Sequence, residues 1–150
     1  MSASVSVRPV TPDDAIAWIR MRTELWPEWP DDHPEEVDAY LVDPPEDASC
    51  LVAEDGDGVV VGFAEVGLRR WAEGCSTSPV AYLEGIYVEP ARRREGVGRA
   101  LVHACEAWGR SRGCLELASD RALDAEESGA FHEGAGFEEV HRVVCYRKEL

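Results

Sequence analysis

Leu83-Glu84-Gly85-Ile86-Tyr87-Val88-Glu89-Pro90-Ala91-Arg92-Arg93-Arg94-Glu95-Gly96-Val97-Gly98-Arg99-Ala100-Leu101 carries the chain from an apolar strand through a basic, glycine-containing turn into a helix. The helix that follows sets Val97, Ala100, Leu101, Ala104, Cys105 and Trp108 on one face, the spacing of a core-facing helix. Glycines in such a turn leave backbone N–H groups unsatisfied at a helix start, where the helix dipole adds partial positive charge. Arg92, Arg93 and Arg94 bring further charge to the same mouth, so the segment suits a phosphate. No G-K-[ST] ending is present for a nucleoside-triphosphate loop, and no G-x-G-x-x-G for a dinucleotide fold. A pyrophosphate of another kind is the expected ligand.

Outward from this segment, the pattern predicts strand and helix in mixed order. Val5 to Arg8 alternates as a short strand; Thr11-Pro12-Asp13-Asp14 then supplies an N-cap, a proline for the first turn and acids for its dipole. That helix ends at Pro27 and Pro30, and a second runs from Asp32 to the stop at Pro44-Pro45. Ser49 to Glu54 and Val59 to Arg69 read as strands flanking the turn Asp55-Gly56-Asp57-Gly58. Trp71 to Pro79 is a loop and Val80 to Val88 a third long strand. Past the helix, Leu115 to Ser119 is a short strand, Ala125 to Ala135 a helix, and Val140 to Tyr146 a closing strand. The order β-α-α-β-β-β-α-β-α-β predicts an α/β (α+β) fold, a mixed, mostly antiparallel sheet with helices on both faces. At 150 residues one domain spanning 1–150 is expected.

Composition bounds the function. Net charge is -15, and Glu24 through Leu68 holds no Lys or Arg while collecting acids such as Glu28, Asp31, Asp32, Glu35 and Glu65. That field repels nucleic acid and concentrates cationic small molecules, although a general solubility bias gives the same numbers. No long apolar run or export-type N-terminus is present, so no membrane association and a cytoplasmic location are expected. The five cysteines show no C-x-x-C and no His-paired cluster, which argues for no metal and no disulfide framework.

The run Arg93-Arg94-Glu95-Gly96-Val97-Gly98, preceded by Ile86-Tyr87-Val88-Glu89-Pro90, resembles the acetyl-CoA signature of the GCN5-related N-acetyltransferase (GNAT) superfamily. Phe131-His132-Glu133-Gly134-Ala135-Gly136-Phe137 is similar to its late helix-to-strand motif. The resemblance implies acetyl-CoA as co-substrate, its pyrophosphate on the amides of Arg93, Arg94, Glu95, Gly96, Val97 and Gly98 with Arg99 alongside, and its pantetheine arm along Ile86, Tyr87 and Val88. Three further stretches, Leu25 to Asp32, Gly74 to Val80 with Leu83 to Ile86, and Ala118-Ser119-Asp120 with Cys145-Tyr146-Arg147-Lys148, resemble the aminoglycoside 6′-N-acetyltransferases more closely. That likeness implies acceptor contacts from Trp26, Trp71, Glu84 and Asp120, with Trp29 and His141 also approaching the substrate, and pairing into homodimers.

The residues support those roles on their own chemistry. A carboxylate inside Tyr82-Leu83-Glu84-Gly85-Ile86 interrupts an apolar strand, and indole faces edged by acids suit sugar rings bearing ammonium groups. Asp120 also fits a helix cap, and the tryptophans also fit core packing. The implied reaction is direct attack of a neutral amine on the thioester, with main-chain N–H donors of Ile86 to Val88 facing the oxyanion. Glu84 or Asp120 accepts the amine proton; His132, at a position where the superfamily commonly has Tyr, returns one to the thiolate, with Tyr87 and Tyr146 as alternatives. Ala125 replaces an Asn common at the pantetheine arm, and His141 replaces an acid found in some relatives. Another small amine, a polyamine or a protein N-terminus as acceptor, and a non-catalytic acetyl-CoA or cation sensor, remain as alternative readings.

Overall fold

The computed structural model describes residues 4–150. Its first helix starts as the local signals predict. Pro12–Asp14 form a 3-10 turn that runs into α1 (Ala15–Leu25). Asp14 folds back to accept the Thr11 N–H at 2.8 Å, and its two oxygens take the Arg8 guanidinium at 2.7 and 3.0 Å. Arg8 comes from β1 (Ser6–Pro9) and also reaches Glu54 at the end of β2 (Ala48–Glu54), 2.7 Å away. The buried Asp14 thereby ties helix entry to the sheet edge. The Arg8 hydrogen bond holds its carboxyl below the usual range, so its stabilisation is full above pH ~4 and lost as the pH falls through that lowered value. Asp14→Ala leaves Arg8 and the Thr11 amide short of a partner; thermal melting is expected to show a loss of about 2 kcal/mol, a fall in Tm of roughly 6 °C.

α2 (Asp32–Val42) follows, ahead of Pro44-Pro45. β2 and β3 (Val60–Arg69) form the expected hairpin, in which Asp55 accepts the N–H groups of Asp57 and Val59 at 2.9 and 3.0 Å, with Gly58 at φ +80. β4 (Val80–Val88), α3 (Val97–Ser111), β5 (Leu117–Ser119) and α4 (Glu126–Gly134) complete the order. The sheet runs β1-β2-β3-β4-β5, antiparallel throughout except for the parallel β4–β5 pair that α3 connects.

Both faces are covered, as predicted. Val97, Leu101, Val102 and Cys105 of α3 pack on Ala53, Val61, Ala64, Val66 and Leu83. Trp18 and Met21 of α1 and Val37 of α2 pack on the other face against Val52, Phe63 and Tyr87. Cys50, Cys105 and Cys114 are buried, and burial pushes the Cys105 thiol up to about 12, so these thiols serve as small apolar groups. Among the described residues no group of three His, Cys, Asp or Glu side chains is placed to hold a metal ion.

One expected element is corrected. The closing strand Val140 to Tyr146 is absent: the chain past Phe137 is irregular and exposed, with Val144 76% and Tyr146 92% accessible. A strand needs a ladder partner, and this tail has none within the described chain. β5 is also shorter than expected, because Leu115 stays 83% exposed.

Candidate active site

The turn and strand of the opening motif meet at a gap in the sheet. β4 and β5 pair only from Ala81–Leu117 to Leu83–Ser119, so the β4 edge from Glu84 to Val88 has no strand partner on that side. Beside this opened edge, Arg94 at φ +64 and Gly96 at φ +88 bend the chain so that α3 starts at Val97. The first N–H groups of α3 have no helical carbonyl to receive them and face out of the turn. Nothing lies within 4 Å of a Cβ built on Gly96, so glycine serves there for its conformation. Gly98 instead serves close approach, since its Cβ would stand 2.7 Å from the Phe131 ring of α4.

The three arginines of the turn divide their work. Arg92 is taken by Asp55 and Glu95, at 3.0 and 2.8 Å, and braces the turn from behind rather than charging its mouth. Arg93 donates to the Val88 carbonyl at 3.0 Å, and its own N–H turns back to Pro90 at 3.4 Å. The amides of Arg94, Glu95 and Gly96 make no such backbone bond, and with the first amides of α3 they are available to an anion. Arg99 reaches the Gly134 carbonyl at 3.1 Å and so ties α3 to the end of α4.

On the α1 side of the sheet, the β3–β4 register pairs Glu65 with Gly85 and then Val66 with Leu83, leaving Glu84 as a bulged residue. The bulge turns both Glu84 and Gly85 toward α1 and α2. Gly85 is the floor for the half-buried Trp26: a Cβ there would lie 2.4 Å from the indole. Trp26 is fixed from behind by the buried His33, whose Nε2 sits 2.8 Å from the Trp26 carbonyl oxygen and whose ring stacks at 6.4 Å. Glu84 borders a cleft of about 250 Å³ whose walls include Trp18, Tyr40, Asp47 and Glu65. Burial raises the Glu65 carboxyl, against the opposing pull of Arg22 and a hydrogen bond from the Trp18 indole N–H.

Glu84 and Asp120, well separated in sequence, are linked through two residues the sequence reading did not single out. Arg69 grips Glu84 with two hydrogen bonds, its guanidinium lies over the Tyr82 ring, and the Tyr82 hydroxyl donates to Asp120. Burial and the Asp120 bond both keep that phenol protonated far above neutrality. The bond also gives Asp120 a partner on β4, in place of the helix-cap alternative.

His132 of α4 is held against β5. Its Nδ1 lies 2.6 Å from the Ser128 carbonyl oxygen and therefore carries a proton, while Nε2 lies 2.9 Å from the Ser119 hydroxyl. Ser119 is also 3.2 Å from the Leu83 carbonyl. With one proton to give, Ser119 donates to Nε2 when the imidazole is neutral, and to Leu83 when Nε2 is protonated. Phe131 and Phe137 flank the ring at 5.9 and 5.2 Å.

The remaining expected acceptor residues lie farther out. Trp29 and Trp71 are 62% and 67% exposed on loops, with their indole faces open to solvent rather than packed in the core. His141 lies on the exposed tail, where no hydrogen bond or ion pair brings it to Glu84 or Asp120.

Comparison with known proteins places this geometry. Residues 18–137 match the Acetyltransferase (GNAT) family. The chain is 47% identical to an aminoglycoside N(6′)-acetyltransferase type 1 of Klebsiella aerogenes, with 100% of each chain covered. It is 44% identical to the enzyme of the same name from Stenotrophomonas maltophilia, over 100% of this chain and 97% of that one. Among solved structures, AAC(6′)-Iy in complex with the bisubstrate analog CoA-S-monomethyl-acetylneamine superposes with a TM-score of 0.90 at 36% identity, covering 99% of this chain and 100% of that chain. With a splayed β4, a glycine turn at the start of α3 and full-length likeness of this degree, the chain belongs to the GNAT acetyltransferases and, within them, to the aminoglycoside N(6′)-acetyltransferases.

Proposed function

We propose that this chain transfers the acetyl group of acetyl-CoA to the 6′-amine of an aminoglycoside by direct attack, with Glu84 and Asp120 receiving the amine. The observation that carries this reading is the place of Glu84: on the bulge of β4, at the head of its unpartnered edge, and on the rim of an acid- and aromatic-walled cleft. One strand thus serves donor and acceptor together. The names of the relatives, and a neighbour solved with CoA and acetylneamine joined in one molecule, support the same pairing of substrates.

In this reading the amides of Arg94 to Gly98 hold the diphosphate, and the main-chain edge of Ile86, Tyr87 and Val88 aligns the pantetheine arm and faces the developing oxyanion, a contact worth about 3 kcal/mol. Trp26, Trp29, Trp71 and His141 contact the sugar rings, and Glu84 and Asp120 bind ammonium groups, one of the two, directly or through water, accepting the proton released as the amine attacks. His132, oriented by Ser128 and Ser119, donates to the departing thiolate. A homodimer is also proposed. The exposed apolar tail at Val140, Val143, Val144 and Tyr146 supports it, since a second copy supplies the ladder and cover that this tail lacks. Among the described residues no helix is long and apolar enough to cross a membrane. We place the enzyme in the cytoplasm, a reducing compartment that suits its free cysteines.

The test is thiol release from acetyl-CoA with purified protein and kanamycin, tobramycin, spermidine and a short peptide as acceptors. Kanamycin and tobramycin are expected to turn over and the others not to, with product mapping placing the acetyl group on the 6′-nitrogen. Preference for spermidine or peptide, or equal turnover of an aminoglycoside lacking the 6′-amine, overturns the assignment. Sedimentation equilibrium at twice the chain mass is the expected result for the dimer, and a monomer mass at micromolar concentration refutes it.

A further inference from the structure

The carboxylates assigned to the acceptor do not stand free. Arg69, the last residue of β3, places Nε 3.0 Å from Glu84 Oε1 and Nη2 2.8 Å from Glu84 Oε2. Its guanidinium lies 3.4 Å from the centre of the Tyr82 ring, and Tyr82 in turn donates to Asp120. The side chains of Arg69 and Glu84 are 41% and 40% exposed, so the pair sits where a ligand arrives. It also closes the long cation-free tract, as the first Lys or Arg after Arg22.

We infer that Arg69 is an internal competitor for the acceptor's ammonium group, occupying Glu84 in the free enzyme and yielding it only to a polycation. This rests on the reading of Glu84 as an acceptor carboxylate and assigns Arg69 as a specificity-determining residue. A guanidinium stays charged at any working pH, so Glu84 is neutralised until another cation replaces it. An exposed ion pair is weak and exchanges readily. A monoamine that displaces Arg69 exchanges one pair for another and gains little. An aminoglycoside gains more, because its remaining ammonium groups also meet Asp120, joined to Arg69 through Tyr82, and Asp47 on the cleft wall. Hydrogen bonds donated to Glu84, and the nearby charges of Glu84 and Asp120, hold Arg69 in its charged form, consistent with a cation lodged in the acceptor's place.

The test uses the full-length enzyme with Arg69→Gln and Arg69→Lys, measured with kanamycin at low and high salt. Arg69→Gln is expected to lower KM about three- to tenfold at low ionic strength, with the change in KM rather than kcat and a steeper loss of affinity as salt rises. Arg69→Lys keeps the charge but loses the two-pronged grip on Glu84 and the stacking on Tyr82, and its KM is expected to fall between the parent and Arg69→Gln. A KM for Arg69→Gln that is unchanged or raised, in a protein melting within a few degrees of the parent, overturns the inference and makes Arg69 a support for Glu84. If Arg69→Gln folds poorly, Arg69→Met preserves the stem over Tyr82 and is judged by the same criterion. Glu84→Gln separates the two levels: if it leaves both kcat and KM of the parent for kanamycin untouched, the acceptor reading itself fails. If it lowers kcat/KM while Arg69→Gln does not lower KM, only the competitor role fails.

Discussion

Glu84→Gln and Asp120→Asn are each expected to lower kcat/KM for kanamycin by on the order of 10²-fold or more, the range in which a positioned proton acceptor acts, while CoA binding stays unchanged. Each substitution keeps the shape of the side chain and removes its charge. The Asn amide oxygen still accepts from Tyr82, and Glu84 is exposed enough that its ion pair with Arg69 contributes little to folding. The loss therefore reports on the acceptor rather than on the fold. The kinetic split assigns the roles: the residue that accepts the proton loses in kcat, with an altered pH profile, whereas one that only holds an ammonium loses in KM. Steady-state kinetics with calorimetry of CoA binding is the measurement. A kcat/KM within threefold of the parent for both variants removes these carboxylates from the acceptor site.

Gly96→Val is expected to weaken CoA binding at least tenfold and to leave the sheet intact. Gly96 sits at φ +88 and ψ 5 as the residue before α3, with open space where a side chain would go. The obstacle is thus the backbone conformation, which costs a non-glycine residue about 1–2 kcal/mol and a β-branched one more. Relief comes from rotating that peptide, which turns the following amides away from the diphosphate. Val97 and Leu101 remain anchored in the core below, so far-ultraviolet dichroism stays near the parent while the CoA dissociation constant rises. Unchanged CoA affinity in a folded Gly96→Val protein refutes the assignment of these amides.

How much of this site was legible in advance follows the range of the interactions involved. The capped start of α1, the Asp55-Gly58 turn and the amphipathic face of α3 are settled within a few residues, and each appears where the spacing put it. Glu84 and Asp120 were marked by a charge in an apolar run and by the family resemblance. Arg69 and Tyr82, which couple them, carried no such mark: an arginine at a strand end and a tyrosine in a strand are commonplace until the register sets them in contact. Ser119 escaped notice for the same reason, since its link to His132 crosses from β5 to α4. The tail shows the opposite failure. Its residues favour a strand locally, yet a strand forms only against a partner, and the described residues of the single chain offer none.

By itself the sequence determined the strand, glycine turn and helix that prepare an anion site, because glycine conformation, helix capping and apolar period are short-range properties of the chain. Tertiary structure alone decided that β4 parts from β5 after Leu83, that a bulge aims Glu84 and Gly85 at α1, and that Arg69 pairs with Glu84. These depend on which residues face one another across paired strands, and that is fixed only when distant segments pack and a single register buries the apolar face.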